Sequence, residues 1–292
     1  MNPVKEFRDD SYSISYVIPC LNEESNIEET IMSCHKSALK FSIKDYEILV
    51  IDNGSVDNSQ NIAKQSNAKV IEEKIKGYGS AIRKGILSAK KEFILILDGD
   101  STYDPHCLGE MLNLYEQKNL DFIVGNRFDK GIEIGAMSFL HKFLGNPLLS
   151  SIGKYLFDVK VKDFHCGIRL IKTEVAQNLP FNTNGMEFAS EMIALASIYK
   201  LKIGEVGTSL KKPSNERKSH LNTWKDGWRH LALMISMSPR KSYLNLSLFS
   251  GLVAIFLFFR FIVNDSIYFK YTGINTLKDL LTVPGLRTLQ SR

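Results

Sequence analysis

ILILDGDSTYDP, residues 94–105, is a run of branched apolar residues that stops at two carboxylates, Asp98 and Asp100, with one glycine between them. An apolar run without alternation reads as a strand covered on both faces, the kind found in parallel sheets with helices on each side. The acids that end it admit two readings. Asp-Gly-Asp-Ser is turn chemistry, able to close the strand and cap a following helix by accepting from free backbone N–H groups. Alternatively, residues i and i+2 of extended backbone point the same way, so both carboxylates can face one Mg²⁺ or Mn²⁺ ion. A calcium-loop reading fails, because Thr102 and Tyr103 stand where such a loop needs Asp or Asn and then Gly.

Working outward, the same grammar recurs. SISYVIPC (13–20) reads as a strand, and the stretch after it carries Ile27, Ile31, Cys34 and Ala38 at helical spacing. YEILVIDNGS (46–55) reads as a second strand followed by a polar helix near 57–66, AKVIEE (68–73) as a third strand, GSAIRKGILSAK (79–90) as a small-residue helix and EFILILDGD (92–100) as a fourth strand. Alternating strands and helices predict an α/β fold with a mainly parallel sheet. Ligands of such sheets bind at the carboxyl ends of the strands. Three of these ends are polar: Asn22 and Glu23, Asp52 and Asn53, then Asp98 and Asp100. A shared ligand site explains this recurrence better than independent turns do.

The glycine-rich stretch does not supply a dinucleotide loop. GYGSAI (77–82) has Ile82 where a third glycine belongs, and no Walker motif is present. Gly77, Gly79 and Ala81 read instead as a helix face packed closely on the sheet, with Lys76 and Arg83 either facing phosphates or on solvated surface.

With 44% hydrophobic and 24% charged residues over 292 positions, the chain is globular, long enough for one large domain and an appendage, and excluded from the disordered classes. Its net charge of +5 selects no partner by itself. Cys20, Cys34, Cys107 and Cys166 form no CxxC or zinc pattern and read as buried thiols in a reducing compartment. The polar start MNPVKEFRDDS carries no signal-peptide pattern.

Residues 243–263, YLNLSLFSGLVAIFLFFRFIV, are apolar over about the 20 residues that a bilayer core requires. They are expected to form a transmembrane helix, with a buried core helix as the alternative. Arg240 and Lys241 precede it, and the positive-inside rule then keeps the residues before it in the cytoplasm. The expected organisation is a catalytic domain over 1–240, a membrane helix over 241–263 and a polar tail over 264–292.

VIPCLNEESNI, VIDNGSVDNS, KGYGSAIRKGI and LDGDSTYDP, followed by VGNRF, DFHCGIRL, GMEFASEM and ERKSHLNTWKDGWRHL, resemble in this order the family 2 glycosyltransferases of the GT-A fold. The later motifs resemble the dolichol-phosphate-mannose synthase-like branch, particularly its membrane-anchored bacterial relatives. The resemblance covers roughly residues 13–240. It implies an inverting, metal-dependent transfer of a hexose from a nucleotide sugar to a polyprenyl phosphate, undecaprenyl or dolichyl.

The resemblance also implies roles. Pro19, Asn22 and Glu23 match the first nucleotide-binding loop and Asp52 the acid that contacts the base. Asp98 and Asp100 match the DxD motif that holds the cation, the first acid lying nearer the nucleotide. Arg127 matches the arginine near the donor diphosphate and acceptor, and Arg217 one that grips phosphate, with Lys218, Ser219 and His220 on the same loop. Asp163, Arg169 and Glu187 fall on motifs lining the sugar side, Asp163 and Arg169 having a buried ion pair as their alternative reading. His165 is in no metal-ligand spacing and reads as packing.

Residues 135–157 are apolar but interrupted by His141, Lys142, Asn146, Pro147 and Lys154, as in helices lying on a bilayer. In the related synthases this region approaches the lipid phosphate, which makes His141, Lys142 and Asn146 candidate acceptor contacts. Trp224 and Trp228 in a basic stretch before the span fit a headgroup zone better than a nucleic acid. Self-association is left open.

The chain departs from the branch at Thr102, where Gln is common, and at His220, where Lys is common. Processive polysaccharide synthases of this fold are disfavoured because QxxRW is missing, and nucleotidyltransferases because no early glycine- and arginine-rich loop occurs. A retired, non-catalytic scaffold would be expected to have lost the DxD or the phosphate arginines, and it has not.

Overall fold

The computed structural model describes residues 12–137, 145–212, 223–238, 250–251 and 253–254. The chain divides into two compact units, Met1–Ser238 and Pro239–Arg292. Among the described residues no helix is long and apolar enough to cross a membrane. The expected span, 243–263, lies outside them except for Ser250, Gly251, Val253 and Ala254.

The first unit is built on a seven-stranded sheet. Its strands are β1 (Ser13–Cys20), β2 (Asp45–Asp52), β3 (Lys69–Glu72), β4 (Phe93–Ile96), β5 (Phe122–Asn126), β6 (Arg169–Lys172) and β7 (Ile203–Gly207), in the spatial order β3-β2-β1-β4-β6-β5-β7. The described helices are α1 (Ile27–Lys40), α2 (Ser59–Gln65), α3 (Tyr78–Ser88), α4 (Leu108–Lys118), α5 (Arg127–Lys130), α6 (Asn146–Phe157), α7 (Thr173–Asn178), α8 (Phe188–Ile198) and α9 (Thr223–Met237).

Strands β1 to β4 pair in parallel, as their apolar runs predict, and Ile14, Val17, Leu49, Val50 and Ile94 to Ile96 are fully buried. The helical stripe read from the sequence is the buried one: α1 packs through Ile27, Ile31, Cys34 and Ala38. All four cysteines are free and buried. The sheet is mixed, however. β6 runs antiparallel to both β4 and β5, which brings its first residue, Arg169, to the edge where the parallel strands end.

The glycine face of α3 departs from expectation. A Cβ at Gly77 would stand 2.1 Å from the Asn184 carbonyl oxygen and one at Gly79 2.7 Å from that of Thr183, so these glycines admit the 183–185 loop, not the sheet. Gly85 is what lets α3 onto the sheet, where a Cβ would lie 2.3 Å from Val17 Cγ1.

Candidate active site

The ends of β1, β2 and β3 are tied into one hydrogen-bonded unit. Asn22, at φ 57°, accepts at Oδ1 from Val56 N (2.9 Å) and donates its own N–H to Ser55 Oγ (3.0 Å). Glu23 is buried and its N–H donates to Ser59 Oγ (2.7 Å). Asn53 donates to the carbonyls of Glu73 and Ile75 and accepts from Gly77 N (2.7 Å). Asp52, matched to a base contact, is 2% exposed, and its carboxylate accepts from Gly54 N, Ser55 N and Gln60 Nε2 (2.9 Å). In this structure it organises its own loop. Pro19 sits at the penultimate position of β1, with its carbonyl oxygen 3.0 Å from where a Cβ on Gly99 would stand. The first strand and the Asp-Gly-Asp turn therefore approach as closely as a glycine permits.

The turn reading holds in part, at Asp100 Oδ1, and the geometry leaves room for the cation reading. Asp100 Oδ1 accepts from Thr102 N (3.2 Å) and Thr102 Oγ1 (2.6 Å), which is turn closure. Helix capping falls instead to Asp104, which accepts from His106 N (3.0 Å). Asp98 Oδ1 accepts from Tyr78 OH (3.0 Å). Each carboxylate thus keeps Oδ2 free of these bonds. Beside Asp98 Oδ2, a Cβ on Gly167 would come within 2.5 Å, so the glycine keeps that space clear of side chain. Burial, and next the negative charge of Asp100, push the Asp98 carboxyl up to about 6. Burial and the adjacent Asp98 hold the Tyr78 phenol well above its ordinary value, so it stays a donor.

This donor set fits a hard cation. Mg²⁺ is usually held by one or two carboxylates together with substrate phosphates, not by a complete protein cage. Among the described residues no group of three or more His, Cys, Asp or Glu side chains could hold a metal ion by itself, so a cation here would need Asp98 and Asp100 together with the phosphates of a substrate.

Asp163 and Arg169 are not each other's partners. Asp163 is fully buried and pairs bidentately with Arg127, Oδ2 accepting from Nε (2.7 Å) and Oδ1 from Nη2 (2.7 Å). It also accepts from Arg127 N and His165 N, both at 3.2 Å. Burial works against the Arg127 charge, but Tyr103 and Asp163 outweigh it and keep the guanidinium well above its usual range. Glu205 supports the loop from behind, accepting from Lys162 N (2.7 Å) and Asp163 N (3.0 Å). Arg169 spends its donors on the carbonyls of Cys166, Ala189 and Phe164 at 2.7–2.8 Å and is 2% exposed. Its role here is to shape the DFHCGIRL loop.

Glu187 stands at the N-cap of α8, where Oε1 accepts from Gly185 N (3.3 Å) and Oε2 is buried with no hydrogen-bond partner. Lys76 and Arg83, weighed as phosphate contacts, are engaged locally: Lys76 Nζ with Asn53 O (2.8 Å) and Arg83 Nη2 with Asn184 Oδ1 (2.8 Å). Asn146 begins α6 with its amide 3.4 Å from Met137 Sδ. His165 packs edge-on against His230 with ring centroids 4.5 Å apart, and Ser190 Oγ lies 2.8 Å from His230 Nδ1. Arg217, Lys218, Ser219, His220, His141 and Lys142 lie outside the described residues. Tyr78, Glu205, Ser190 and His230 carry no sequence signal, because what distinguishes them is a partner remote in the chain.

The profile of the family "Glycosyl transferase family 2" matches residues 15–179, which hold β1 to β6 and the Asp98–Asp100 turn. A low-salt glycan biosynthesis hexosyltransferase of Haloferax volcanii is 34% identical over 227 residues, covering 78% of this chain and 54% of the relative. The chain therefore spans about half the length of that relative. A second glycosyltransferase of Haloferax volcanii is 24% identical over 216 residues, covering 74% of this chain and 68% of its own. Among solved structures, glucosyl-3-phosphoglycerate synthase of Mycobacterium tuberculosis, in complex with Mn²⁺ and UDP-glucose, superposes with a TM-score of 0.61 at 19% identity, covering 78% of this chain and 80% of that one. That likeness establishes the α/β fold. By its matched profile, laid on a sheet edge that carries paired acids, this chain belongs to glycosyltransferase family 2.

Proposed function

We propose that the protein is an inverting hexosyltransferase that moves a sugar from a nucleotide sugar to a polyprenyl phosphate. The observation that carries the transfer reading is the Asp98–Asp100 pair, with one oxygen of each held by the protein and the other left open. A bound Mg²⁺ or Mn²⁺ would supply Lewis-acid neutralisation of the departing nucleoside diphosphate. The mycobacterial neighbour is named in complex with Mn²⁺ and UDP-glucose, which is consistent with that need.

The chain's own residues then bind and orient. Asp98 and Asp100 hold the cation end of the donor, with Asn22, Glu23 and the Asp52 loop forming the nucleotide wall. Arg127, preset by Asp163, offers its remaining Nη1 toward phosphate. Glu187 Oε2 is a buried acceptor in want of a donor, and a sugar hydroxyl is one.

The acceptor phosphate needs no general base, because its second ionisation lies near pH ~6. One of its oxygens forms the new bond to the anomeric carbon from the face opposite the leaving diphosphate, the old carbon–oxygen bond breaks with its electrons going to the diphosphate, and configuration inverts. What the protein supplies is positioning and electrostatics. The polyprenyl acceptor rests on the resemblance of the later motifs and on the apolar segment 243–263. Exposed Leu148, Tyr155 and Trp228 on α6 and α9 suit a catalytic unit held at the cytoplasmic face of a membrane.

The test is transfer of label from a panel of radioactive nucleotide sugars into undecaprenyl phosphate with Mg²⁺ or Mn²⁺, against an EDTA control. A metal-dependent, acid-labile lipid product supports the reading and identifies the sugar. Label appearing only in a non-phosphate glycan or lipid overturns the acceptor, and nucleotide-sugar binding without any transfer overturns the enzyme in favour of a scaffold.

A further inference from the structure

We infer that Tyr78 and Thr102 are the positioning residues of the cation site, each fixing one carboxylate so that its second oxygen faces the metal. The inference rests on the metal reading above and concerns side chains that only the fold brings to the acids. Tyr78 OH donates to Asp98 Oδ1 across 20 residues of chain, and Thr102 Oγ1 donates to Asp100 Oδ1 at 2.6 Å. In both cases Oδ1 is taken and Oδ2 is left.

Both hydroxyls are themselves held in place. Tyr78 opens α3 between Gly77 and Gly79, and neither glycine tolerates a Cβ against the 183–185 loop, onto which Gly79 N also donates at Asn184 O (2.8 Å). The helix start is thereby clamped and the phenol aimed. Thr102 is 6% exposed, and its carbonyl accepts from Lys211 N (2.9 Å). A carboxylate free to rotate about its terminal torsion would spend much of its time turned away from the ion, and two that repel each other would do so together. One hydroxyl on each removes that freedom before the ion arrives. The resembled branch commonly carries Gln where this chain has Thr102. The threonine hydroxyl serves the carboxylate rather than reaching past it.

The test is Mn²⁺ binding to the full-length protein, read by the electron paramagnetic resonance of free Mn²⁺ with UDP present, for wild type, Tyr78→Phe, Thr102→Val and Thr102→Ser. Loss of such an outer partner typically weakens metal binding by about 10- to 100-fold, and Tyr78→Phe and Thr102→Val are expected to fall in that range while Thr102→Ser stays near wild type. Metal-free UDP binding, measured calorimetrically, is expected to be unchanged in all three variants. Unaltered Mn²⁺ affinity in both Tyr78→Phe and Thr102→Val overturns the inference while leaving the metal site standing. Wild-type protein that binds UDP but no Mn²⁺ overturns the metal reading and this inference with it.

Discussion

Replacing Asp163 with Asn changes one atom in a site with no room for the change. The carboxylate is fully buried and accepts from Arg127 Nε and Nη2 at 2.7 Å, and from Arg127 N and His165 N at 3.2 Å. The amide that replaces one oxygen is a donor, so it faces a guanidinium donor at hydrogen-bond distance while the Arg127 charge stays buried without its counterion. Breaking one side of a buried pair costs about 3–5 kcal/mol, a large share of the roughly 5–15 kcal/mol that holds a typical native protein together. At about 2–4 °C per kcal/mol for a unit of this size, the melting temperature should fall by about 10 °C. Circular dichroism melts of the full-length protein at pH 7 measure it. Arg127→Met combined with Asp163→Leu should recover most of the loss, because no uncompensated charge remains. A fall of less than about 3 °C for Asp163→Asn would refute the reasoning, since it would mean the pair is solvated or relaxes without cost.

Three further outcomes are expected. Asp100→Ala should lower transfer by at least about 100-fold, as loss of an electrostatic stabiliser does, while the melting temperature moves by only about 3 °C, since the loss of the two turn bonds from Thr102 is offset in part by relief of repulsion at Asp98. Gly167→Ala should weaken Mn²⁺ binding measured by paramagnetic resonance, because its Cβ would fall 2.5 Å from Asp98 Oδ2 and 2.8 Å from the Tyr103 ring. His230 is pushed down to about 4 by burial, so it stays neutral in the folded chain while the unfolded chain takes up a proton near pH 6.5. The unfolded state then binds more protons throughout that window, and stability should fall as pH drops from about 6.5 to about 4. His230→Asn should flatten that part of a denaturation profile, and an unchanged slope would count against the burial of a neutral ring.

Much of this architecture is legible in the chain because it repeats with the period of its elements. Ile27, Ile31, Cys34 and Ala38 announce the buried face of α1, and the apolar runs of β1, β2 and β4 announce a covered parallel sheet. The acids at the strand ends stand out for the same reason, being polar where the pattern is apolar. β6 and β7 carry no such signal. RLIK and IGEVG are too short to show a period, and nothing in RLIK declares that it runs antiparallel. Side-chain pairings carry even less. Asp163 lies nearer in the chain to Arg169 than to Arg127, yet it bonds to Arg127, because β5 and β6 are neighbours and deliver both ends of their connection to one edge. His165 shows no ligand spacing in the sequence, and its neighbour His230 comes from α9, 65 residues away.

The antiparallel placement of β6 has a consequence for how such a protein can change. Because Val124 of β5 faces Arg169 of β6 across adjacent strands, the chain between them leaves and re-enters the sheet at nearly the same point. A connection with closely spaced ends can be lengthened or exchanged at small entropic cost, each doubling of its length costing only about 0.6 kcal/mol. Strands β1 to β4 lie outside that connection, and what an exchange must preserve toward them is the glycine at 167 beside Asp98 Oδ2. The connection between β5 and β6 can therefore vary between proteins of this architecture like an exchangeable cassette, with the sheet serving as a fixed socket.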